Sequence, residues 1–175
     1  RLNVSSIEAK IQSVFSYIDV IETILDPRML LTAKVETMRF LLNAIIEVEL
    51  IVPGLGHSKC CWKLIVSFIQ SLGSMKDDLI RIDLKGWDAP GVSRQKLEYQ
   101  QIAIAIIAIF FEKNYNINMF TNEHSNNDDQ LDKVSMTSKQ ATNIIKNLYA
   151  IMREIHKLNS PRLNLESKSF IKRAC

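Results

Sequence analysis

His57 stands three and four residues ahead of Cys60 and Cys61, so on a helix the three side chains come within reach of one another. Imidazole and thiolate are zinc ligands, and the same pair can supply a thiol nucleophile with its base. Zinc needs a fourth ligand, and the other histidines, His124 and His156, belong to distant segments. A nucleophile would need a glycine elbow, an oxyanion loop and an orienting carboxylate, and none adjoins Cys60 and Cys61. The plainer role is packing beside Trp62, because thiols are among the most buried side chains. No cofactor or metal is expected, and a cysteine-dependent hydrolase is the remotest functional alternative.

Two carboxylate pairs invite a similar test. Asp77 and Asp78 fall in the opening turn of a helix, where the macrodipole favours negative charge without any catalytic role. Asp128, Asp129 and Asp132 look like half of a calcium loop, but the regular oxygen spacing, central glycine and closing glutamate are missing. Gly54-Leu55-Gly56 lacks the further glycine and the lysine of a phosphate loop, so its expected job is to turn the chain.

The charge distribution carries the one functional signal. Residues 137–175 hold eight Lys or Arg against two Asp or Glu, although the whole chain has a net charge of only +3. Lys139, Lys146 and Arg153 recur every seven residues and Lys157 follows one turn later, so the four form a stripe on one helix. Ala141, Ile144, Ile145, Leu148, Ile151, Met152, Ile155 and Leu158 fall on the other side. A basic amphipathic helix of this kind suits a protein partner with an acidic surface, adjoining helical domains of the same chain or, less favoured, a membrane surface; the commoner occurrence is a solvated face over a core. No nucleic-acid partner is expected. Trp87, in a loop between Gly86 and Asp88, is a candidate anchor for that partner or a pin for its own loop.

These side chains must be held by helices. Ser5 with Glu8 forms a capping box, and Ile7, Ile11, Val14, Ile18, Ile21 and Leu25 make a single stripe along one first helix. Asp26-Pro27 restarts the chain into a second helix running to about Val52, with Leu31, Val35, Met38, Leu41, Leu42, Ile45 and Ile46 inward, ended by Pro53-Gly54-Leu55-Gly56. A third helix spans about Ser58 to Leu72, with Gly73 just past its end, and Ser74 with Asp77 opens a short fourth bearing Leu79, Ile80 and Ile82. Ser93 caps a fifth helix ending near Tyr115, whose segment Ile102–Phe111 is apolar on every side and must be surrounded by other elements. At ten residues it is too short to span a bilayer, which takes about 20. The last helix runs from Ser138 to about Asn159, stopped before Pro161.

Length and composition agree with this plan. The chain of 175 residues is near the size of one domain, and its five glycines leave few tight turns for strands. The expected fold is all-α, a single domain over 1–175 with five or six helices around a buried central helix. It closes either as a helical bundle or as an armadillo/HEAT-like stack of hairpins about forty residues long. Cys60, Cys61 and Cys175, an odd number without regular spacing, fit a reduced, cytoplasmic setting, and the opening at Arg1 reads as a piece of a larger protein. The expected function is a non-catalytic scaffold or interaction module of a larger cytosolic or channel-associated regulatory protein; the alternative is a bundle that binds an apolar small molecule or lipid. Between the last two helices, residues 114–136 contain six asparagines and read as a mobile loop, and residues 162–175 as a basic tail. Limited proteolysis is expected to cut first between Asn116 and Lys133; first cleavage at 86–91 instead would invert the loop assignments.

Overall fold

The computed structural model describes residue 10 and residues 14–47, 54–86, 90–115 and 138–158. They form α1 (Tyr17–Leu25), α2 (Leu31–Leu41), α3 (Lys59–Gly73), α4 (Met75–Lys85), α5 (Arg94–Lys113) and α6 (Ser138–His156), with no strand among the described residues. The fold is all-α, and its contacts are those of helices bundled or stacked against one another. The Asn-rich stretch beyond Tyr115 and the basic tail lie outside the described residues.

The ends of α3 and α5 follow directly from side-chain capping. Ser58 is extended, and its hydroxyl accepts from the backbone N–H of Cys61; Ser93 is likewise extended and accepts from Lys96 at 3.0 Å. Each hydroxyl satisfies an N–H that the first turn leaves without an intrahelical partner. Gly54, at φ +78°, turns the chain into a short 3-10 segment, Leu55–His57, that leads into α3.

The first helix differs from the single stripe expected. Phe15 bends the chain, and Ser16 caps α1 afresh by accepting from Ile18, so the hydroxyl offers the backbone a local alternative to a continuous helix. Val14, expected inward, is 72% exposed, while Val20, Ile21 and Ile24 are buried. Ile7 and Ile11 lie outside the described residues.

Asp26 does not open the next helix. Its carboxylate accepts from the Arg28 backbone N–H at 2.9 Å and from the Arg28 guanidinium, closing a turn before α2 begins at Leu31. From Leu42 to Ile46 the helix widens into a π segment, closed by the Glu47 N–H donating to the Leu42 carbonyl at 2.7 Å. This widening keeps Ile45 and Ile46 buried while the chain approaches α5.

Two further departures concern α3 and α4. Gly73 is the last residue of α3 rather than the residue beyond it, and the Ser74 hydroxyl turns back to the Ser71 carbonyl instead of capping α4. Leu79 and Ile82 are buried in α4, whereas Ile80 is exposed.

The core centres on α3 and α5. α3 packs against α1, α4, α5 and α6, burying Trp62, Leu64, Ile65, Phe68 and Leu72. α5 packs against α2, the π segment and α3, and residues 102–107 are buried as their apolar character requires. The Trp62 indole donates to the Gly56 carbonyl at 2.8 Å and meets the ring of Phe110 edge to face at 5.5 Å. On the surface of the α2–α5 contact Arg39 pairs with Glu98.

Ile106 is 2% exposed at the middle of α5, whereas Ile109 is only half-buried. Ile106→Asp is expected to abolish stable folding, since an unpaired buried carboxylate costs of order 5 kcal/mol, and Ile109→Asp to leave a folded protein with a lowered melting temperature. Thermal melts followed by circular dichroism check both; equal melting of Ile106→Asp and parent would refute the burial of this segment.

Candidate functional site

α6 seats Ala141, Leu148, Met152 and Ile155 against α3 and α4, which turns its basic residues outward. Lys139, Lys146, Arg153 and Lys157 are all exposed, on the one face that their spacing implies. Lys157 differs from the others in having a close acidic neighbour: its ammonium lies 2.7 Å from Glu154, which also takes Lys76 of α4 at 2.9 Å. Trp87 lies outside the described residues.

Beside the stripe lies a feature that the sequence pattern did not announce. Because α6 rests mainly on α3 and α4, its other flank stands away from the end of α5 and leaves a groove of about 780 Å³. Ile107, Ala108, Ile109, Phe111 and Tyr115 form one wall and Ile145, Leu148 and Tyr149 the other, with Glu47 and Glu112 at its edge. Behind it stand edge-to-face rings: Trp62 with Phe111 at 6.1 Å, and Phe111 with Tyr115 at 5.2 Å. Lys113 donates to the Glu47 carbonyl at 2.9 Å and so ties the end of the π segment to the end of α5.

Tyr149 joins groove and stripe. It follows Ile145 by four residues and Lys146 by three, and precedes Arg153 by four, so its ring adjoins both the apolar wall and the cationic row. It is 52% exposed, a large aromatic surface open to solvent. Half-buried positions in α5 were the available signal: Ala108, Ile109 and Phe111 lie in an all-apolar segment without being fully covered.

The chemical candidates separate in space. Cys60 and Cys61 are buried, with the Cys60 thiol 2.9 Å from the Ser58 hydroxyl, whereas His57 is exposed. Asp77 is exposed, but Asp78 is buried and lies 2.6 Å from the Lys96 ammonium. No group of three His, Cys, Asp or Glu side chains converges on a metal position among the described residues. Asp128, Asp129 and Asp132 lie outside them. Among the described residues no helix is long and apolar enough to cross a membrane.

In comparisons with known proteins the chain matches no family, and neither a curated protein nor a solved structure is detectably similar to it.

Hydrogen bonds from Lys157 and then Lys76 lower the Glu154 carboxyl from an ordinary 4.5 to about 2. A group with its folded value depressed stabilises the fold above its unfolded value, so this contribution is present above about pH 4.5 and is lost as the pH falls towards 2. Carboxyl-detected NMR is expected to show Glu154 titrating near pH 2, with Lys157→Met moving the midpoint upward. Because the pair is solvent-exposed, added salt should raise it too. A midpoint unmoved by Lys157→Met would remove the pairing.

Proposed function

We propose that this protein is a non-catalytic helical interaction module, in a cytoplasmic setting, that receives an apolar helical segment of a protein partner in the groove between α5 and α6. The partner segment carries acidic residues along the edge that meets Lys139, Lys146 and Arg153. The observation that carries the reading is Tyr149, a half-exposed aromatic standing between an apolar wall and a cationic row. An amphipathic helix binds by setting residues at i, i+3, i+4 and i+7 into such a groove. Apolar anchors supply affinity there, and charges at the rim choose the partner and its orientation. The acidic Glu47 and Glu112 stand at the groove's edge, so basic residues on the remaining side of the segment fix which way round it lies. Stacking onto further helical hairpins of the parent protein, in the armadillo manner, is compatible with the same surface.

The test is selection of binders from a displayed library of helical 15-residue peptides. Enriched sequences are expected to combine apolar residues at helical spacing with Asp or Glu along one edge. Lys146→Glu with Arg153→Glu should weaken these binders at least tenfold at moderate salt and change stability by only about 0.5 kcal/mol. Tyr149→Ala should weaken them irrespective of salt. Binders without acidic residues, or equal affinity for the parent and the charge-reversed variant, would overturn the reading.

A further inference from the structure

A second concavity lies on a different side of α5, where no residue of the groove takes part. Met29 and Leu31 from the α1–α2 connection, Lys34 of α2, Ser67 and Ser71 of α3, and Lys96 and Tyr99 of α5 enclose about 350 Å³. Its polar groups come from three helices and all but one kind are hydrogen-bond donors to an anion: two ammonium groups, two serine hydroxyls and a phenol.

Each of these donors is held from behind. Lys96 is steadied by Asp78, 2.6 Å away, whose side chain is only 3% exposed. Tyr99 is buried, stacks edge to face on Phe68 at 5.8 Å and shares a hydrogen bond with Ser67. Burial lifts its phenol above the ordinary value, which keeps it protonated at neutral pH. The Ser71 carbonyl accepts from the buried Gln100 amide at 2.8 Å, fixing that turn of α3 beside the pocket.

Charge then selects the ligand. Asp78 answers Lys96, while the carboxylate nearest in influence to Lys34, Asp26, is engaged by the Arg28 guanidinium at 2.8 Å. The pocket therefore keeps the equivalent of one positive charge, and a singly charged ligand balances it. Met29 and Leu31 add an apolar wall. The volume is at the small end of the roughly 300–1,000 Å³ usual for ligand sites, room for about ten water-sized units of about 30 Å³ each.

We propose that this pocket binds a small monocarboxylate with a short apolar tail, its carboxylate held by Lys34, Lys96 and the serine hydroxyls and its tail laid against Met29 and Leu31. A carboxylate accepts several charge-assisted hydrogen bonds in one plane, which suits donors arriving from separate helices. The tail accounts for the two apolar side chains that a bare inorganic anion would leave unused.

The probe is 4-methylpentanoate, titrated into the isotopically labelled protein and followed by amide chemical shifts. Inorganic phosphate serves as an anion without a tail and 4-methylpentanamide as the tail without a charge. Saturable binding of the carboxylate in the millimolar range, with shifts at Lys34, Ser67, Ser71 and Tyr99, is the expected result. Lys34→Gln should weaken it about tenfold and Lys34→Arg should restore it. Lys34 is half-buried with its ammonium at the pocket mouth, so these variants keep the fold, whereas removing Lys96 would strand the buried Asp78. Tighter binding of phosphate, equal binding of the amide, no saturation, or indifference to Lys34→Gln would each overturn the proposal. Shifts confined to the α5–α6 groove would do so as well.

Discussion

Everything in this fold leans on one large side chain that is satisfied at both its polar and its apolar ends. Trp62 is 1% exposed, and burying an indole without a partner for its N–H would cost much of what its area contributes. The Gly56 carbonyl supplies that partner, which fixes the 3-10 turn against the start of α3. Its ring in turn meets Phe110 and, more distantly, Phe111 and Tyr115, so the end of α5 is held where the groove needs it. Local turn, central helix pair and candidate binding surface are thus set by one residue.

Much of the helical plan was legible because local signals and periodicity agreed. Ser58 and Ser93 are caps in sequence and in structure, and Val35, Met38, Leu41, Ile45 and Ile46 face inward as their spacing implies. Misreadings arose where a polar side chain had two local choices. Ser16 and Ser74 each carry a hydroxyl that sequence reads as neutral or as an N-cap; tertiary placement sends one to start a helix and the other back to the Ser71 carbonyl. Asp26 could cap a helix or clasp Arg28, and the guanidinium prevails.

The candidate surface was half legible. Seven-residue spacing of Lys139, Lys146 and Arg153 reveals a stripe, since it depends only on one helix. The groove depends on how far α6 stands from α5, a distance between elements far apart in sequence that no local pattern encodes. Nor does composition distinguish Ile106 from Ile109, although one is sealed and the other borders open space. The small pocket is harder still to foresee, because Lys34, Ser67 and Lys96 are unremarkable residues of three different helices until packing gathers them.

The π segment at Leu42–Ile46 has a meaning for how this chain tolerates change in length. A π turn holds one residue more than the α-helix it interrupts, so it is equivalent to a one-residue insertion absorbed without breaking the rod. Removing a residue there, the exposed Asn43 for instance, would let the hydrogen bonds revert to α spacing and rotate all that follows by about 100°. The Glu47 carbonyl would swing away from Lys113, and the acidic corner of the groove would go with it. Related chains that differ by a single residue in this segment should therefore differ in what they recognise while keeping the same core.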